Sequence, residues 1–186
     1  MASIIDSFRR WVGNHINGLN KVQQSKLQLV KLEDMLNVLI ITETNTPEQE
    51  AAMDIHRREI SKLCPKATVK VISFFRKGYQ TPAHISAGNV LYVCQEDFSF
   101  FYGFKSEEMK NILACDYNAL FVSSVSANPD ISYILPYVKA VLRIGHQLHY
   151  GPLVNIMINS NAKSIESYNK DALSNVKMIF GHSNNN

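Results

Sequence analysis

The sequence predicts an α/β fold, three-layered, with a mostly parallel sheet of about five strands. Three observations predict it. Five short apolar runs, Asn37–Ile41, Thr68–Phe74, Val90–Val93, Ala119–Val122 and Val154–Ile158, have strand length. Helix-length amphipathic segments separate most of them, and strands that alternate with helices build one sheet covered on its faces. The first run is continuously apolar, as in a strand buried on both sides.

Taken in order, Ile4, Ile5, Phe8, Val12, Ile16 and Leu19 recur at helical spacing, with Arg9, Arg10, Asn14 and Asn17 elsewhere on the wheel. Gly13 and Gly18 each weaken that helix by about 1 kcal/mol relative to Ala. Trp11, the only tryptophan, sits near the edge of the apolar stripe. Packing on the body, a protein contact and a membrane interface are all open for it. The stretch Gln23–Leu36 leans helical. After the first strand, Thr46-Pro47-Glu48-Gln49 reads as N-cap, N1 proline and capping-box partner. Met53, Ile55, Ile60 and Leu63 form the apolar side of that helix, His56 is read as solvated beside Arg57, and Pro65 closes it.

Thr68–Phe74 is rich in β-branched and aromatic residues. Arg76–Asn89, with Gly78, Pro82 and Gly88, reads as a loop that carries His84. Phe98–Tyr102 is either an edge strand or a plug of buried rings, ended by Gly103. Ser106 caps a helix with Glu107 and Glu108 at its positive end. Asn128-Pro129 starts another, expected to run to about Val141 with a kink or late start at Pro136. Arg143–Gly145 is a short strand or the end of one, open to an antiparallel pairing with Val154–Ile158. Ala162–Phe180 closes the fold as a helix. The expected division is an arm (1–35), one α/β domain (36–181) and a disordered tail (182–186).

Composition excludes several classes. Apolar residues make up 46% and charged residues 19%, as in folded globular chains. No run approaches the roughly 18 apolar residues of a membrane span. Arg9 and Arg10 interrupt the first apolar residues, so no secretory leader is expected and a cytoplasmic location is. Cys64, Cys94 and Cys115 are too scattered for a disulfide framework or zinc site, and Cys94 and Cys115 read as small core residues. His146 and His149 would point to opposite faces of a strand end, so no metal site is expected.

Net charge is only +3, yet Arg57, Arg58, Lys62, Lys66, Lys70, Arg76 and Lys77 accompany Glu59 as the sole acid between them. Such a strip is either a solvated helix face or a surface for an anion, an acidic partner or RNA. Arg57, Arg58, Lys62 and Lys66 are its candidate contacts.

In a Rossmann-like sheet, ligands sit beyond the carboxyl ends of the strands. Those positions here are Thr42, Glu43 and Thr44 after the first strand, and Ser123, Ser124, Ser126 and Asn128 after the fourth. Hydroxyls and helix N-termini there would suit a small ligand or phosphate, and capping and turn chemistry would explain them equally. No GxGxxG follows the first strand and no GxxxxGK[ST] occurs, so no cofactor is expected. Glu96 and Asp97 point apart if extended. No catalytic assignment emerges.

The basic amphipathic arm, Asn37-Val38-Leu39-Ile40-Ile41, Asp97–Lys105, Asp116–Val122 and Tyr133–Gly145 resemble a family of uncharacterised bacterial α/β proteins known chiefly from Bacteroidota. The resemblance covers most of the chain and implies an α/β fold with no known activity. Ala140–Gly145 is also similar to a segment in the N-terminal half of glycosyltransferases that transfer heptose, a likeness of fold alone. The expected function is a non-enzymatic binding or adaptor protein that meets a protein partner through its N-terminal helix. The alternatives are a small-molecule or phosphate binder, as in a degenerate transferase, and an RNA- or ribosome-associated protein.

Overall fold

A computed structural model describes residues 4–16, 31–76 and 88–181. The expected tail, His84, Lys77 and most of the Gln23–Leu36 and Arg76–Asn89 segments lie outside the described residues. The elements are α1 (Ile4–Ile16), β1 (Asn37–Glu43), α2 (Pro47–Leu63), β2 (Thr68–Phe74), β3 (Val90–Val93), α3 (Glu107–Ala114), β4 (Asp116–Ser123), α4 (Pro129–Ile134), β5 (Lys139–His146), α5 (Gln147–Tyr150), β6 (Ile156–Ile158) and α6 (Ile165–Gly181). Within Gln23–Leu36, the described part holds only a 3₁₀ turn at Leu32–Asp34.

The sheet has six strands in the order β3-β2-β1-β4-β5-β6, and every pairing is parallel. β1 is therefore central, which explains its unbroken apolar sequence. Val38 and Ile40 face α2 and α6 together with Ala119 and Phe121 of β4. Leu39 and Ile41 face α3 and α4 together with Leu120 and Val122. The period-2 alternation of a strand thus feeds two separate cores. The caps are those read from sequence: Thr46 accepts from the Gln49 N–H at 3.3 Å, and Ser106 from the Met109 N–H at 3.2 Å.

Two sequence expectations need correction here. The sheet has six strands rather than about five, because Lys139–His146 is a full strand. Pro136 has no N–H to continue α4, so the chain tightens into a 3₁₀ turn at Leu135–Tyr137 and leaves it extended. The last pair is parallel, not antiparallel. β6 pairs only with Ile144, Gly145 and His146, the end of β5. The return through α5 and the turn Gly151–Leu153 therefore has little distance to recover.

Phe98–Tyr102 is a plug rather than an edge strand. Phe98 and Phe104 form an isolated antiparallel bridge, and Phe98, Tyr102 and Phe104 are buried while Phe100 and Phe101 are exposed. Gln95–Asp97 is a 3₁₀ turn rather than extended, closed by the Asp97 carboxylate on the Cys94 N–H at 2.7 Å.

Candidate functional site

β1 and β4 lie side by side, yet the helices that follow them leave to opposite faces, α2 to one and α4 to the other. Parting helices open a crevice at the carboxyl edge, and the sequence-selected residues gather there. They do not all serve as free ligands. The Thr42 hydroxyl donates to the Ser123 carbonyl at 2.9 Å, and the Thr44 and Ser73 hydroxyls bond each other at 2.7 Å. Thr42, Thr44 and Ser123 are buried and occupied in joining strands.

Glu43 organises the rest. Only 5% exposed, its carboxylate accepts from Ser124 Oγ at 2.5 Å, Ser126 Oγ at 3.4 Å and Asn128 Nδ2 at 3.2 Å. Asn128 also caps α4, its Oδ1 accepting from the Asp130 and Ile131 N–H groups. Tyr150 completes the network by donating to the Ser126 carbonyl at 3.0 Å and accepting from the Asn128 N–H at 3.2 Å. Burial pushes the Tyr150 hydroxyl above the ordinary phenol range. Beside Glu43 runs a cleft of about 160 Å³, also lined by Asn45, Phe74, Arg76, Gln95, Asn128 and Asp130. Burial raises the Asp130 carboxyl, opposed by Arg10. With the Asp130 carboxyl answered by Arg10, the buried Glu43 carboxylate makes this edge a better host for a hydrogen-bond donor than for a phosphate. Sequence reasoning missed Tyr150 and Asp130 as members of this site, because residues that join only in space have no local signature.

A second candidate is α1. Its docking face is the polar one. Arg9 donates to the Phe100 carbonyl and lies 4.6 Å from the Phe100 ring centre. Arg10 donates to the Tyr102 hydroxyl at 3.1 Å, stacks over that ring at 4.8 Å and pairs with Asp130 at 3.6 Å. Gly13 allows the close approach, since a Cβ there would stand 2.4 Å from both the Phe101 carbonyl oxygen and the Tyr133 hydroxyl. Tyr102 accepts this helix from a left-handed backbone conformation (φ 58) that a non-glycine residue rarely adopts. The outcome is a helix turned with its apolar row outward. Ile5, Phe8, Trp11 and Ile16 are all more than half exposed, and Phe8 stacks on Trp11 at 6.1 Å. Exposed Phe100 and Phe101 sit beside the dock.

The basic strip is neutralised in part. Arg57 pairs with Asp54 at 3.6 Å, Lys62 with Glu59 at 2.6 Å and Lys66 with Asp34 at 3.0 Å, while Arg58 Nε donates to the Asp54 carbonyl. Asp54 lies just before the Arg57–Lys77 window and Asp34 reaches it only through the fold, which is why the charge looked unopposed.

The histidines also differ from expectation. His146 and His149 do not point apart: α5 turns the chain, and their rings lie 4.6 Å from each other. His146 Nδ1 accepts from the Leu148 N–H, so Nε2 carries the proton donated to the Ser160 carbonyl. Among the described residues, no three His, Cys, Asp or Glu side chains gather as metal ligands. His56 is not solvated. It lies one turn from Ala52 and Ile60 on the buried side of α2, and Ile55 is the residue turned outward.

Among the described residues no helix is long and apolar enough to cross a membrane. Searches among curated proteins and among solved structures give no match. One family profile does match, over residues 9–179, from inside α1 to near the end of α6. The chain belongs to a family of unknown function (DUF6913).

Proposed function

We propose that this protein is a non-catalytic adaptor that holds a protein partner on the outward row of α1, with Phe100 and Phe101 at its margin. One observation carries the reading: α1 docks through arginines and a glycine and leaves Ile5, Phe8, Trp11 and Ile16 more than half exposed. Burying apolar surface is the main driving force of association, and aromatic anchors dominate interface energies. A lipid surface fits less well. Interfacial helices hold basic side chains toward the headgroups, whereas Arg9 and Arg10 are engaged with the body.

The test is a comparison of partners retained by the wild-type chain and by Phe8→Ser/Trp11→Ser. Loss of specific partners from the variant, with the circular dichroism spectrum unchanged, supports the adaptor. Identical partner sets remove α1 from consideration, and recovery on anionic vesicles alone favours a membrane role.

A second reading rests on Glu43. The cleft at the carboxyl edge suits a small ligand that donates hydrogen bonds to this carboxylate. Thermal-shift measurements with small amines and with sugar phosphates separate donor from phosphate recognition, because a binder raises the melting temperature by mass action. A rise with the phosphates alone would reverse the preference argued from Glu43.

A further inference from the structure

A cavity of about 420 Å³ lies away from both candidate sites, between α2 and α6. Its walls are apolar, formed by Ala52, Ile55 and Leu173. Among the polar side chains that line it, His56 and Asn169 are both buried and unpaired. His56 is 1% exposed and neither ring nitrogen has a hydrogen-bond partner. Asn169 is 4% exposed and neither its amide oxygen nor its amide nitrogen has one. Buried polar groups are nearly always satisfied, so two adjoining exceptions in one cavity require explanation. The His56 ring meets Phe121 of β4 edge-on at 5.6 Å, which fixes it against the sheet.

We infer that this crevice binds an uncharged, planar small molecule that presents a hydrogen-bond donor and an acceptor side by side, as a primary carboxamide or a nucleobase edge does. A neutral imidazole offers one donor and one acceptor, and an amide side chain offers both kinds. Together they complement such an edge, while the apolar walls cover its flat body. A cavity of this size falls in the range of small-molecule sites. Burial holds His56 well below the ordinary imidazole range, so it does not supply a cation for a carboxylate or phosphate. The mouth carries Glu59 and Glu166 against Lys170 and Lys177, a balanced set that attracts neither sign.

The experiment is a nuclear magnetic resonance titration of the full chain with benzamide and adenine, and with benzoate as the charged counterpart. The expected result is saturable shifts of the His56 ring nitrogens and the Asn169 side-chain amide at about 10 mM of either uncharged probe, for a Kd of about 1 mM. Benzoate is expected to bind at least about tenfold more weakly, and Asn169→Leu to weaken benzamide by a similar factor because the site's polar complement is lost. If His56→Leu fails to fold, the wild-type shifts and Asn169→Leu still decide. A long-lived internal water contacting both side chains, with no response to either uncharged probe, overturns the inference. So does benzoate binding as well as benzamide.

Discussion

Single residues carry the chemistry of this protein through what surrounds them. His56 is the clearest case. Burial lowers its pKa to about 3, whereas an unfolded imidazole titrates near 6.5. Between those values the unfolded chain takes up a proton that the folded one refuses. The contribution of His56 is therefore complete above about 6.5 and is lost as pH falls toward about 3, at about 1.4 kcal/mol per pH unit. Urea unfolding at several pH values should show a shallower acid slope in His56→Leu. Glu59, Glu166, Lys170 and Lys177 remain in both proteins, so equal slopes would show that the ring titrates normally. Glu43 predicts a different kind of loss. Glu43→Ala strands the donors of Ser126 and Asn128 and should cost about 2 kcal/mol in a denaturant midpoint, while Glu43→Gln keeps an acceptor and should cost less.

At the scale of elements, α1 is the informative one. Its dock consists of cation–π contacts and polar pairs, each worth about 0.5–1 kcal/mol, made possible by the absence of a side chain at Gly13. Gly13→Leu cannot be accommodated against the Phe101 carbonyl and the Tyr133 hydroxyl. It should release α1 and leave the sheet intact. Trp11 reports this directly: its fluorescence anisotropy should fall and proteolysis before residue 31 should quicken, with the main thermal transition shifted only slightly. Unchanged anisotropy would show that the close approach does not hold the helix. α4 and β5 teach a second lesson. A helix expected to reach Val141 stops at Ile134, since a missing N–H at Pro136 outweighs the helical spacing of the apolar residues beyond it.

Across the whole molecule, Arg143 joins segments that sequence analysis treated separately. Its guanidinium is buried and donates to three carbonyls, those of Leu135 at 2.7 Å, Val138 at 2.8 Å and Leu153 at 2.8 Å. Burial lowers its pKa. It thereby ties β5 to the turns on either side, at the point where the expected antiparallel pair became a parallel one. Arg143→Met should lower global stability by about 3 kcal/mol, because three buried acceptors lose charged donors. Chemical denaturation measures this, and a loss under about 1 kcal/mol would mean that water replaces those bonds.

The sequence by itself determined what is local: apolar strand runs, the caps at Thr46, Ser106 and Asn128, the turn chemistry, and the carboxyl-edge address of Glu43 and Ser124. These depend on neighbours a few residues apart, where periodicity and side-chain capping act directly. Only the tertiary structure decided the strand order, the inward turn of His56, the junction of Glu43 with Tyr150 and the outward facing of α1. Each of those depends on which surfaces meet across long stretches of chain, and a helical or strand period specifies a face without naming what that face will touch.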